Sequence, residues 1–218
     1  MSALPADPAP ALSALLREGT RADHTAAETE PFVEHLMSGA LDRSAYADLA
    51  AQQLVVYQAL EEVGAAMRDD ARGGPLVFDE LTRVPAIERD LAFLYGEDWR
   101  DRIRILPAAR EYAARIRETA PSVPHYAAHA YTRYLGDLSG GQIVRRMMER
   151  HYGLDGAGLA FYAFPEIPRA KVFKDAYRER LDALLLDEAE AAAALAEARR
   201  AFRLNRAVFA ALGQAHRP

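Results

Sequence analysis

Cysteine is absent from these 218 residues. That removes disulfides, thiolate metal sites, iron–sulfur clusters and cysteine nucleophiles together, and it fits a reducing cytoplasm. Long apolar runs are missing as well. No stretch approaches the roughly 20 apolar residues needed to span a bilayer. The first ten residues, Met1 to Pro10, lack the basic start and apolar run of a signal peptide. The closing residues, Ala215-His216-Arg217-Pro218, form no hydrophobic tail. The expectation is a soluble, cytoplasmic protein without membrane attachment. Positive charge is also scarce, with 27 Lys and Arg against 32 Asp and Glu and a net charge of −5. General nucleic-acid binding leans on excess positive charge against phosphate, so it is not expected.

Clean period-two alternation bounded by turn residues is absent too, so no sheet is expected. What the chain does have favours helix: half its residues are apolar and 27% are charged, with alanine and leucine abundant. Helical spacing predicts helices over 11–28, 32–37, 43–68, 76–83, 85–95, 107–118, 168–185 and 187–212. A longer pattern runs from the Pro121/Pro124 bracket to Tyr152. Asp42 is placed as an N-cap and Gly39 as a C-terminal stop. Residues 69–75 read as a loop. The expected architecture is one all-α, multi-helix domain over 11–218, preceded by a flexible Pro- and Ala-rich segment, 1–10.

The most informative stretch runs from Ala130 through Tyr131, Arg133, Gly136, Asp137, Gly140 and Gly141 to Ile143. Its flanks are helical, yet it holds three glycines within six residues. Each glycine inside a helix costs about 1 kcal/mol relative to alanine, so some function or contact must offset roughly 3 kcal/mol. Gly136 and Gly140 are four apart and share a helical face. A face without side chains admits a flat ligand or a second helix, and glycines also let a helix bend. On this segment alone, a tight crossing, a loop and a ligand face all stay open. A lone carboxylate such as Asp137 is more often a local cap or a solvated group.

Six histidines occur. His24 has Glu28 at i+4, so a carboxylate can orient the imidazole, as it does for metal-ligating histidines. A His–Glu pair at this spacing is more often a plain surface pair. His125 and His129 are also four apart, but no Glu follows His125 to complete a His-Glu-x-x-His zinc motif. No histidine has a Glu three residues before it, so a di-iron carboxylate bundle fails as well. The only two lysines, Lys171 and Lys174, stand in a basic segment. Lys174 and Arg178 share a face, and with Arg17 they suit a dianion. The alternative is a solvated face balanced by Asp175 and Glu179.

These segments together resemble the haem oxygenase family, from about Leu12 to Leu212. His129 to Gln142 is similar to the family signature almost letter for letter. Leu15–Glu28, Leu159–Pro165 and Phe202–Asn205 resemble other family segments in the same order. The resemblance implies haem between a proximal helix and a kinked distal helix. It implies His24 as proximal iron ligand with Glu28 as its partner, and Gly136 and Gly140 in the distal helix over the haem. It implies that Asp137 anchors waters that hydrogen-bond iron-bound dioxygen and deliver a proton. Arg17, Lys174 and Arg178 match propionate-binding positions, which set the haem's in-plane rotation and favour α-meso cleavage. Tyr131 and Arg133 match positions near the haem edge, and Tyr57, Phe202, Asn205 and Phe209 match pocket lining. A neutral histidine, unlike a thiolate, avoids strong electron push toward O–O cleavage.

The implied reaction takes haem, dioxygen and external electrons to biliverdin, carbon monoxide and iron. The implied partner is a ferredoxin with its reductase, or another reductase, acting on a monomer. The chain departs from the family's membrane-bound members in lacking a hydrophobic tail, and Arg17 stands where some members have Lys, which changes donor geometry. A haem carrier or sensor that does not degrade haem is the second reading, though a carrier has no need of the Gly-Asp-Leu-Ser-Gly-Gly run. A thiamin-degrading hydrolase of related fold relies on a cysteine that this chain lacks.

Overall fold

The computed structural model describes residues 11–120 and 122–217. The predicted flexible segment 1–10 and Pro121 lie outside the described residues. Eleven α-helices follow in order among the described residues: α1 Leu12–Gly19, α2 Arg21–Glu28, α3 Pro31–Ser38, α4 Arg43–Met67, α5 Val84–Tyr95, α6 Trp99–Arg102, α7 Pro107–Glu118, α8 Val123–Ala130, α9 Gly140–Tyr152, α10 Ala170–Asp182 and α11 Glu188–Ala215. No strand occurs among them.

Most predicted boundaries fall where local chemistry puts them. Pro31 starts α3, and Gly39 ends it at φ 74°, in the left-handed region glycine adopts freely. Asp187 caps α11 by accepting the Glu190 N–H, while the Glu190 side chain returns to the Asp187 N–H, a capping box. Asp42 does precede α4, but its side chain caps nothing. The predicted 76–83 helix is two short 3₁₀ turns, Gly74–Leu76 and Asp79–Leu81, and the short α6 has no counterpart in the sequence reading.

Two differences shape the molecule. The helix predicted over 11–28 breaks at buried Thr20, whose hydroxyl donates to the Leu16 carbonyl at 2.7 Å. Just before it, a Cβ at Gly19 would meet Leu195 of α11 at 2.4 Å, so the glycine permits close approach of α1 to α11. The second difference is the long helix predicted up to Tyr152. α8 widens into a π-helical turn at Tyr131–Leu135, is interrupted at Leu138–Ser139, and resumes as α9. π-turns inside helices are uncommon and gather at functional sites.

The core is continuous from Leu12 to Leu212, with fully buried Tyr57 and Leu60 on α4, Tyr112 on α7 and Tyr177 on α10. α4 packs against α5, α7 and α8, and α11 packs against α1, α2, α3, α7 and α8. These two long helices therefore hold α2 and the interrupted α8–α9 element on either side of one cleft.

Candidate functional site

The cleft has a volume of about 300 Å³ and a largely apolar lining. His24, Ala27 and Glu28 reach it from α2, and Phe202, Asn205 and Phe209 from α11. Arg133, Gly136, Asp137 and Gly140 reach it from the interrupted helix. Residues more than a hundred positions apart in sequence thus share one surface.

His24 is half-exposed there. Its Nδ1 lies 3.2 Å from Glu28 Oε2, and its ring meets the Phe202 ring edge-on, with centroids 5.5 Å apart. Nδ1 faces the Glu28 carboxylate and the ring leans on an aromatic side chain, so Nε2 is the nitrogen left for a ligand.

Two of the three glycines face empty space. A Cβ on Gly136 or Gly140 would meet no atom within 4 Å, whereas one on Gly141 would lie 3.1 Å from Tyr162 Cδ1. The glycine stretch therefore has two faces: Gly141 packs the chain behind it, and Gly136 and Gly140 leave bare backbone along the cleft.

Asp137 is buried. The hydroxyl of Tyr57 donates to its Oδ2. Tyr57 also accepts from Arg133 Nε at 3.3 Å. Arg133 spends its other donors on Asn205 Oδ1, at 2.8 Å, and on Gln53 Oε1. Burial pushes the Asp137 carboxyl up to about 6, against the opposing pull of Arg133, the Tyr57 hydrogen bond and Arg83. A carboxyl near neutrality can hold or release a proton at working pH.

The basic residues form a separate edge. Arg17, Lys174, Arg178 and Tyr131 do not line the cleft itself. α1 is tied to α10 by Ser13, whose N–H and hydroxyl donate to Asp182 at 2.7 and 2.9 Å. That brings Arg17 and Arg178 close enough to influence the Tyr131 hydroxyl. Lys174 Nζ donates to Ser139 Oγ at 2.8 Å, beside the helix interruption. Burial and the neighbouring Arg178 lower the Lys174 pKa. Arg178 is partly paired with Asp175 at 2.8 Å, and Arg17 with Glu18 at 3.1 Å.

His125 and His129 belong elsewhere. His129 is fully buried and bonds Glu197 Oε1 at 3.0 Å, and Arg115 grips the same carboxylate at 2.9 and 2.6 Å. Among the described residues no three His, Asp or Glu side chains gather to hold a bare metal ion.

Sequence reasoning assigned no site role to Gln53, Phe161 or Tyr162, which all line the cleft. Gln53 is a polar side chain on a periodic apolar face of α4, and that mismatch is its only signal. Phe161 and Tyr162 sit on a 3₁₀ turn, Ala160–Tyr162, where periodicity carries no information.

The Heme oxygenase family model matches residues 10–211. The chain belongs to the haem oxygenase family. It is 39% identical over 199 residues to Heme oxygenase 1 of Synechocystis, covering 91% of this chain and 83% of that protein. To human Heme oxygenase 1 it is 39% identical over 202 residues, covering 91% and 70%. Its structure is similar to that of heme oxygenase-1 from Synechocystis in complex with heme, with TM-score 0.90, 38% identity and 94% of each chain covered. It is also similar to the heme oxygenase of Leptospira interrogans, with TM-score 0.87, 37% identity and 93% and 100% coverage. This haem oxygenase is a haem-degrading enzyme, with haem as substrate and prosthetic group. No helix among its described residues is long and apolar enough to cross a membrane.

The cleft fits that group. A flat macrocycle needs two close walls, and bare backbone at Gly136 and Gly140 supplies one with space that a Cβ would fill. One imidazole in an apolar cleft suits a metal already held by a porphyrin.

Proposed function

We propose that this haem oxygenase holds the haem iron through His24 Nε2 and opens the ring at the α-meso carbon to give biliverdin. Haem, when bound, supplies both the iron that activates dioxygen and the ring that is cleaved. The chain's own residues do the rest. Glu28 orients His24 through Nδ1 and keeps Nε2 unprotonated for the metal. Phe202 and Phe209 exclude water from that side, and Gly136 and Gly140 let the distal backbone approach the ring face.

Asp137 holds the proton. Tyr57, on the opposite helix α4, fixes the carboxylate in place, and Arg133 anchors Tyr57, Gln53 and Asn205 into one unit. Arg17, Lys174 and Arg178 would take the two propionates at the basic edge, beside Tyr131, and so set which meso carbon is cleaved. Electrons come from a ferredoxin with its reductase, or from another soluble reductase, in the cytoplasm.

One observation carries this reading: a buried carboxyl at about 6 lines the same cleft as an oriented histidine. A haem carrier has no use for the carboxyl. The test is haemin added to the purified protein, followed by a reductant in air. The Soret band is expected to bleach as a broad red biliverdin band grows. His24→Ala is expected to weaken haem binding, with partial rescue by added imidazole. A stable haem complex that no electron source turns over overturns the catalytic reading in favour of the carrier.

A further inference from the structure

The distal wall has a second layer that none of the roles above includes. The segment Leu159–Phe164 carries Phe161 and Tyr162 into the cleft. Tyr162 backs Gly141, and Phe161 meets Tyr57 edge-on with centroids 5.2 Å apart. A loop is a poor foundation for two such side chains, because loops are ordinarily the mobile part of a fold. This one is gripped from below by two buried charged residues of the α5 region.

Asp90 is 1% exposed, and its two oxygens accept separately from the N–H groups of Ala160, at 2.7 Å, and Phe161, at 2.8 Å. Arg83 is 5% exposed and donates to carbonyls of the same segment, Ala163 at 2.6 Å and Phe161 at 3.2 Å. Its guanidinium also lies 4.0 Å over the Phe164 ring. Glu61 accepts from the N–H groups of Arg83 and Val84, fixing the start of α5 to α4. From the far side, Gln142 of α9 donates to the Tyr162 carbonyl at 2.9 Å.

We propose that Asp90 and Arg83 are positioning residues for the distal wall: they clamp Leu159–Phe164 by its N–H groups and its carbonyls, and through Tyr162 and Gln142 they set where the Gly140–Gln142 start of α9 stands over the cleft. A buried carboxylate with two backbone donors and a buried guanidinium with carbonyl acceptors are each costly unless fully paired. Here Asp90 turns both oxygens to one six-residue segment, and Arg83 gives that segment two of its bonds, the others going to the Leu81 and Glu80 carbonyls at 3.2 and 3.3 Å. The consequence for haem chemistry rests on the proposed function, but the mechanical claim does not.

The test therefore begins with the haem-free protein. Asp90→Asn keeps size and leaves one oxygen for two N–H donors, and Arg83→Lys keeps charge but loses the fork. Hydrogen exchange is expected to rise about tenfold or more both in 159–164 and in the 136–144 stretch, while a control segment of α11, 204–212, is unchanged. With haemin bound, affinity by Soret titration is expected to stay within about threefold, because His24 and the basic edge are untouched. The pH midpoint of the ferric Soret spectrum shifts, and turnover falls about tenfold or more, as for a misplaced catalytic group. Arg83→Lys serves as the second variant should Asp90→Asn fail to fold. Exchange confined to 159–164, with 136–144 unmoved in either folded variant, overturns the clamp whatever haem does. Variants that show the exchange pattern, beside a wild type that does not bind haem, remove the proposed function and leave the clamp standing.

Discussion

The Tyr57 hydroxyl and the Asp137 carboxylate, 80 residues apart in sequence, share a hydrogen bond that joins α4 to the interrupted distal helix. Tyr57 is fully buried, so this bond has no exchange with solvent to compete with it. Tyr57→Phe removes the donor that lowers the Asp137 pKa. The alkaline limb of the turnover profile, where Asp137 loses the proton it holds, is therefore expected to move upward from about 6. Asp137→Asn abolishes that limb and reduces turnover by about a hundredfold or more. Stopped-flow bleaching of the Soret band across pH 5–9 measures both.

The same carboxyl sets a pH dependence of stability. Its folded pKa is raised from 3.8 to about 6, so the folded state holds the proton more tightly than the unfolded one. Its contribution is full below about 4 and is lost as pH rises through about 6. Two pKa units amount to about 3 kcal/mol at most. Asp90 is raised to about 6 as well and acts in the same window. Urea unfolding of haem-free Asp137→Asn from pH 4 to 7 is expected to show a flatter dependence than wild type.

The glycines separate binding from folding. Gly136→Ala and Gly140→Ala place a methyl where the protein has no neighbour. The haem-free variants should be as stable as wild type or more so, by up to about 1 kcal/mol. Haem binding should weaken about tenfold, because the methyl occupies the ring's space. Gly141→Ala presses on Tyr162 instead, and it should lower thermal stability without haem. Melting curves and Soret titrations on the three variants give opposite orders if this assignment of faces is correct.

Regiochemistry tests the basic edge. On the proposed assignment, removing the charges of Lys174 and Arg178 together loosens the propionate anchor; it also cuts the Lys174–Ser139 bond beside the distal interruption but leaves the Tyr57–Asp137–Arg133 bonds in place. The expected result is a mixture of biliverdin isomers, resolved by chromatography, with turnover largely kept. A single unchanged isomer shows that the apolar walls alone fix the ring.

Glu197 is predicted to act on stability. Burial alone would raise its pKa, but hydrogen bonds from His129 and Arg115 hold it at about 2. Its contribution is present above about 4.5 and is lost as pH falls toward 2. Glu197→Ala leaves Arg115 and His129 without their shared partner and should cost about 3–5 kcal/mol, read from denaturant unfolding at neutral pH. Haem affinity is the control, and it should change little.

The sequence alone determined the helices, the stops at Pro31 and Gly39, the unusual run of glycines and the His24–Glu28 pair, because each depends on residues within a turn or two of one another. The resemblance then pointed to part of the cleft lining, His24, Glu28, Arg133, Gly136, Asp137, Gly140, Phe202, Asn205 and Phe209, but not to Gln53, Phe161 or Tyr162. Tertiary structure decided the rest. Helical periodicity gave no sign that the first helix breaks at Thr20, where the residue is buried and α1 lies close against α11. Nor did it show that the distal helix widens at Tyr131–Leu135 and stops at Leu138–Ser139. Asp137 reads in sequence as an ordinary carboxylate. It becomes a group near neutrality only when the fold buries it against Tyr57 and Arg133. Phe161 and Tyr162 enter the wall only because Asp90 and Arg83 hold their loop. Burial and hydrogen bonds between distant elements are made by packing, and no local pattern of side chains contains them.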